Sequence, residues 1–404
     1  MDGMKRIYIT LSLLLIWSSD VVAQTKYQLT PGPDLWYNSV DGVRLGFRLR
    51  GQMAGSMGDG PHRLDTGFWI GSKWPDKPFS YYASLTEPIP AWSSFGSEAS
   101  FEGFSSVREG FYSHGLTFRK RWQNGFNEKE HIKVQAIAEW NKRYDLNYVE
   151  LEDLWDTDAL YLFEPLIEVN REYDVLGTLS HGLSGTIAGQ GAINKRPFTQ
   201  IEFEQQGKIP IYKDFKLGHR LFIGASSPNV PVQYQYRLSM GRAIEDVTIG
   251  FARSRGILPS SGFERGWLHI PDGPNLRGYG PTEMQEAIDE VPLTYRGSAA
   301  VNLELDFPNP VSWMIDEAPV LGGILNSRMY LFKDIGQGWG EQTSNVKMNL
   351  GVGLSVGLNL PESLGRNKVL TVRYDVPFWL SDPAFDEPNY QFRSKFGFSS
   401  IITW

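Results

Sequence analysis

The chain has 404 residues, a formal net charge of −7, 42 glycines, 13% aromatic residues and no cysteine. The absence of cysteine excludes disulfides, a cysteine zinc cluster, a thiol nucleophile and a lipoprotein anchor, and the mildly acidic balance gives no reason to expect nucleic acid as a partner. The length allows two or three soluble domains or one large barrel.

In chain order, the first element is an export signal. Lys5 and Arg6 form a basic start, Ile7 to Trp17 a mostly apolar run too short to span a bilayer, and Val21 to Ala23 a small-residue cleavage pattern. Residues 1–23 are therefore predicted as a signal peptide, with the mature chain beginning at Gln24 and residues 24–42 as a short periplasmic lead-in. From residue 43 to 404 one pattern recurs. Val43, Leu45, Phe47 and Leu49 alternate with Arg44, Gly46, Arg48 and Arg50; Ile132, Val134, Ala136 and Ala138 alternate with Lys133, Gln135, Ile137 and Glu139; Val232, Tyr234, Tyr236, Leu238 and Met240 alternate with Gln233, Gln235, Arg237 and Ser239. Val301, Leu303 and Leu305 do the same against Asn302, Glu304 and Asp306.

The longest alternation is "VKMNLGVGLSVGLNL", Val346 to Leu360, in which every even residue is apolar and every odd one polar or glycine. Side chains alternate faces along a strand, so such segments carry one greasy and one wet face. A soluble sandwich and an outer-membrane barrel both fit that pattern. Three features favour the barrel: the alternation continues to the last residue, aromatics cluster at segment ends in "FWIGSKW", "WQNGF" and "VPFWL", and the chain ends on "FGFSSIITW". We count about sixteen segments, beginning near residues 43, 64, 78, 110, 130, 158, 172, 197, 217, 233, 245, 295, 327, 344, 367 and 393. The predicted fold is all-β, a transmembrane antiparallel β-barrel with a long loop folded into its lumen. In the closing segment Phe398, Ile402 and Trp404 are predicted to share one face with Phe396, forming a C-terminal signal for the barrel assembly machinery of the bacterial outer membrane.

The longest interruption runs from Arg253 to Leu293 and contains "PDGPNLRGYG". A loop of this length is commonly functional. Leu276, Arg277, Gly278 and Tyr279 resemble the hydrophobic-Arg-Gly-aromatic motif of the outer-membrane assembly factor superfamily, the bacterial surface antigen family of BamA- and TamA-like barrels. "NLELDFP", "LFKDIGQGW", "NLGVGLSVGLNLP", "LTVRYDVPF" and the closing segment resemble the strands that follow this loop in the family, and "SVDGVRLGFRL" resembles its first strand. The resemblance implies that Arg277 folds back into the lumen and pairs with carboxylates on the next two strands, which here map onto Glu304 and Asp334. Gly278 is expected to let the loop tip turn tightly. The family's receiving periplasmic domains have no counterpart in residues 24–42.

The functional expectations follow from that resemblance. The first is insertion or translocation of proteins, or lipid, at the outer membrane, with client proteins as partners and outer-membrane lipid around the wall. A passive or gated pore, and a barrel scaffold for a separately encoded periplasmic or surface partner, are the alternatives. No catalytic group, metal or cofactor is expected: "GLSVG" matches a nucleophile elbow but lies inside a strand, and the six histidines lack zinc-site spacing. Arg44, Arg48 and Arg50 are expected to balance lumen carboxylates such as Glu202, Glu204 and Asp375.

Overall fold

A computed structural model describes residues 27–402 apart from 39–40, 54–61, 74–78, 109, 126, 146–154, 176–178, 194–196, 214, 245–266, 281–293, 317–324, 342, 359–369, 384–386 and 400. The predicted signal peptide and Trp404 lie outside the described residues. Among the described residues seventeen strands form one sheet: β1 (Tyr27–Asn38), β2 (Gly42–Met53), β3 (Arg63–Gly71), β4 (Phe79–Pro88), β5 (Ser97–Arg108), β6 (Phe111–Asn124), β7 (Asn127–Arg143), β8 (Leu160–Val175), β9 (Leu179–Ile193), β10 (Phe198–Tyr212), β11 (Phe215–Ser226), β12 (Leu268–His269), β13 (Gly297–Phe307), β14 (Leu325–Trp339), β15 (Lys347–Leu358), β16 (Leu370–Leu380) and β17 (Lys395–Phe398). Without the two-residue β12, sixteen remain. Each pairs antiparallel with the next, from β1–β2 through β11–β13 to β16–β17, as an up-and-down meander. A short helix, α1 (Pro310–Asp316), lies between β13 and β14 and is started by Asn309 Oδ1, which accepts the Val311 N–H at 3.0 Å.

The two faces of this sheet are inverted relative to a soluble protein. Large apolar side chains such as Leu35, Leu45, Phe163, Ile201 and Leu331 are exposed, whereas Arg220, Asn302, Glu304, Asp334, Arg373 and Asp375 are buried. Soluble proteins almost never bury so many charges, and they seldom leave so much apolar surface uncovered. Lipid outside and a polar lumen inside account for both observations. In β15 the odd residues Asn349, Gly351, Gly353, Ser355 and Gly357 are buried while the even ones face outward. The small odd residues make room for neighbours across the lumen face: a Cβ on Gly351 would lie 2.2 Å from the Phe332 ring, and one on Gly353 2.4 Å from Tyr330.

The connections fall at two ends. Trp92, Phe95, Trp122 and Trp313 are exposed at the end that holds the β4–β5, β6–β7 and β13–β14 connections, and Phe79, Tyr161, Tyr390 and Phe392 at the other. Two aromatic girdles around an apolar band are what a membrane-spanning barrel presents at its interfaces. The long β11–β13 connection leaves from the second end and turns inward. Its described parts build three apolar clusters inside the lumen, around Tyr234 and Phe198, around Leu276 and Tyr295, and around Met240 and Leu268.

Several expectations are corrected. The segment expected as a lead-in contains a complete strand, β1, paired with β2 along its whole length, so the barrel begins at Tyr27 and not at residue 43. Pro31 and Pro33 hid it, because paired prolines read as a turn. β5 was also missed, since "SEASFEGFSSVR" has few outward apolar residues. Conversely, Val232 to Met240 is no strand. It holds a short 3₁₀ turn and a bridge from Tyr236 to Tyr295, and it is buried on both sides because it belongs to the plug. Residues 245–250, expected to start another strand, lie outside the described residues. Among the described residues, two strands were missed, β1 and β5, and one expected strand, near residue 233, is absent.

Candidate functional site

The plug is held to the wall at Arg277, which has no exposed surface. Its Nε and Nη2 donate to Asp334 Oδ2 and Oδ1 at 3.0 and 2.7 Å, and its Nη1 donates to Glu304 Oε1 at 2.7 Å. The Arg277 backbone N–H adds a further bond to Asp334 Oδ2 at 3.0 Å. The guanidinium carbon lies 4.0 Å from the centre of the Phe332 ring. Glu304 and Asp334 stand on the adjacent strands β13 and β14, and both point inward because they share the parity of Asn302 and Phe332. A planar fork with five donors matches two carboxylates better than a lysine would.

Around this pair the remaining acceptors are satisfied. Asn302 Nδ2 and Asn349 Nδ2 donate to Asp334 at 3.0 and 2.9 Å, and Arg328 Nη2 donates to Glu304 Oε2 at 2.9 Å. Burial alone would weaken the proton on Arg277, but the charges of Asp334 and Glu304 outweigh it and raise its pKa.

Leu276 and Tyr279 seat the motif on either side of Arg277. The Leu276 N–H bonds the Leu238 carbonyl at 2.8 Å, and its side chain fills the space over Gly336, where a Cβ would lie 2.6 Å away. Tyr279 donates its hydroxyl to the Met348 carbonyl at 3.0 Å. Gly278 has a different reason from the one expected. The left-handed residues of this turn are Gly273 and Asn275; at Gly278 a Cβ would lie 2.5 Å from both Asn349 Cβ and Leu380 Cδ2, so the glycine serves close approach to β15 and β16.

A second arginine ties the plug to the last strands. Arg373 on β16 pairs with Asp375, donates from Nη2 to His269 Nδ1 at 2.9 Å, and donates from Nε to the Ser399 carbonyl at 2.7 Å. Burial, then the cations Arg373, Arg277 and Lys395, push the His269 pKa well below the usual histidine range, so a neutral ring accepts from Arg373. β12, which carries His269, pairs in parallel with β17, and the Phe396 N–H bonds the Trp267 carbonyl at 2.6 Å.

The C-terminal segment departs from its expected form. Phe396 and Phe398 share the outer side of β17, but the strand ends there, and Ser399, at φ 68°, turns the chain inward. Ile402 is consequently buried in the lumen, with its side chain beside Gly218 of β11, and does not line up with Phe398. The wall arginines also have other partners than expected: Arg44 lies 3.5 Å from Asp41 and Arg48 pairs with Asp65, while Glu202, Glu204 and Asp375 pair with Arg242, Arg220 and Arg373. Sequence reasoning missed Asn302, Asn349 and Arg328, although their parity with Glu304, Ser355 and Asp334 places them on the lumen face. Arg373 carried the same signal, standing on the polar face of "LTVRYDVPF" with Thr371 and Asp375, whereas His269 carried none.

Beyond the plug, a cavity of about 280 Å³ remains against β7–β10, lined by Glu139, Glu164, Glu202, Gln135, Gln190 and Arg242 among others. Arg242 bonds Glu202 Oε1 and Gln200 Oε1 there, both at 2.7 Å.

No protein-family model and no curated protein matches the chain. Among solved structures it is similar to BamA from Haemophilus ducreyi lacking POTRA domains 1–3, at 12% identity over 92% of this chain and 69% of that one, with a TM-score of 0.49. It is also similar to CdiB from Acinetobacter baumannii (11% identity, 92% and 65% covered, TM-score 0.39) and to OccK11 from Pseudomonas aeruginosa (9% identity, 92% of each chain, TM-score 0.31).

Proposed function

We propose that this chain is an exported barrel of the bacterial outer membrane that takes part in inserting or translocating other polypeptides there, with lipid as its surroundings and the barrel assembly machinery as its partner during biogenesis. One observation carries the reading. The last strand, β17, pairs in parallel with Leu268 and His269, two residues of the chain's own plug. A barrel normally abolishes its edges. A seam held by a short internal segment is a place where the wall can part at small cost, and the Arg277 cluster keeps the lumen filled meanwhile.

The test is the folding rate of an unrelated outer-membrane barrel protein into liposomes with and without this protein already inserted. Acceleration is expected. An unchanged rate would overturn the assembly reading.

A gated pore is the second reading, favoured by the cavity against β7–β10. It expects a low conductance in planar bilayers that increases when Arg277→Ala frees the plug; a conductance equal in both proteins would count against it.

A further inference from the structure

The lumen cavity against β7–β10 has a cause in the sequence. Pro165 stands inside β8 and has no N–H to give to a neighbouring strand. The pairing of β8 with β9 accordingly passes from Phe163 opposite Gly191 directly to Leu166 opposite Ala188. On the β9 side the residues at this gap include Ala188 and Gly189, the two smallest residue types, and both line the cavity with Glu164. The plug covers the gap from within through Tyr234, Arg242 and Ile244. A space of about 280 Å³ is left between wall and plug, close to the lower end of small-molecule sites, about 300 Å³.

One part of the lining is apolar, with Phe111, Ile137, Leu162 and Leu166; the other carries three carboxylates, Glu139, Glu164 and Glu202, against one guanidinium, Arg242. Arg242 is already engaged, since its Nη1 donates to Glu202 Oε1 and Gln200 Oε1. Glu139 and Glu164, on the adjacent strands β7 and β8, are close enough for their charges to oppose each other. Gln190 donates from Nε2 to Glu164 Oε1 at 2.6 Å, and its own Oε1 is buried and accepts no hydrogen bond among the described residues. The lining therefore offers more acceptors than donors, and more negative charge than Arg242 balances. Charge shielded from bulk water is costly unless a partner of opposite sign is present. Among the described residues no three groups converge closely enough to hold a metal ion, and a bare ion would make no use of the apolar side.

We propose that this cavity binds a small organic cation, a primary ammonium carried on an apolar or aromatic body. The three N–H donors of the ammonium serve Glu139, Glu164 and the Gln190 oxygen. The body lies against Leu162, Leu166 and Phe111, whose ring face also attracts a cation. The inference rests on neither reading of function above, because binding requires neither a client nor a conductance.

The test is titration calorimetry of the full chain in detergent micelles, with protein-free micelles as the blank. The probes are phenethylamine, phenethyl alcohol and phenylacetate, which share a ring and are a cation, a neutral molecule and an anion at neutral pH. Saturable binding of phenethylamine is expected, roughly tenfold tighter than that of the alcohol, the weight of a hydrogen bond to a charged group, with no binding of phenylacetate. Methylammonium, which lacks the apolar body, and calcium should both bind more weakly than phenethylamine. These comparisons use the unaltered protein, so they do not depend on any variant folding. Glu164→Gln then locates the site: it keeps the side chain's size, removes its charge and should weaken phenethylamine roughly tenfold. Glu168→Gln, on the same face of β8 but paired with His131 and Lys133, should leave the affinity unchanged. No saturable binding of phenethylamine, equal binding of amine and alcohol, a preference for calcium or phenylacetate, or unaltered affinity in Glu164→Gln overturns the proposal.

Discussion

Arg277 is buried with two carboxylates, and the energetic weight of that arrangement lies in its removal. Replacing a buried ion-pair partner leaves charge without compensation and costs about 3–5 kcal/mol. Arg277→Ala is therefore expected to lower the denaturant midpoint and to make the plug sensitive to protease, because Asp334 and Glu304 lose their cation together. Arg277→Lys should recover only part of the loss, since an ammonium cannot serve both carboxylates with the same fork. A variant with wild-type protease resistance would show that the plug is held elsewhere. Gly278→Ala examines packing instead. Its methyl group would press on Asn349 and Leu380, and overpacking of this kind costs about 1–3 kcal/mol, to be read as a lower unfolding midpoint. The motif was legible in the sequence, and its two acids through the resemblance of the following strands to those of a known family. The reason for Gly278 was not, because its neighbours Asn349 and Leu380 are distant in sequence.

For single elements, β9 offers a controlled comparison of the two faces. Ile187 is exposed on the outer side, and the next residue, Ala188, lines the cavity with Glu164 and Glu202. Ile187→Arg should hinder insertion by about 2–4 kcal/mol near the midplane. Ala188→Arg should be tolerated, because the added charge meets carboxylates. Heat-modifiable mobility after refolding into liposomes reads both, and equal losses would argue that the outer face does not contact lipid. Position 355 would be a poor lumen control: Ser355 stands opposite Arg328 on one neighbour and Arg373 on the other, so an arginine there would face two like charges. Strands were legible where outward residues are strongly apolar, as in β15, and illegible where they are not, as in β5. In β1 the prolines Pro31 and Pro33 disguised the strand.

For the whole molecule, the inverted burial makes salt an informative probe. At 1 M salt the screening length falls to about 3 Å, which weakens exposed pairs and leaves buried ones nearly untouched. The Arg277–Glu304–Asp334 cluster has almost no exposed surface, so the protease resistance of the plug in liposomes should be the same at low and at 1 M salt. Release of the plug by salt alone would mean that water reaches the cluster.

The sequence by itself determined the alternation of a barrel of about sixteen strands and which face of β15 is wet, and the resemblance of its loop motif to a known family implied that Arg277 belongs with Glu304 and Asp334. These are local periodicities and an ordered motif, and a membrane enforces them because lipid accepts only apolar side chains and fully paired backbone. The tertiary structure decided the rest: that β1 begins the wall, that Val232–Met240 is plug, that Ser399 turns Ile402 inward, and that β12 lies on the edge of β17. Each of these depends on where a segment meets partners far away in the chain, and alternation of side chains carries no record of which distant segment a strand will meet.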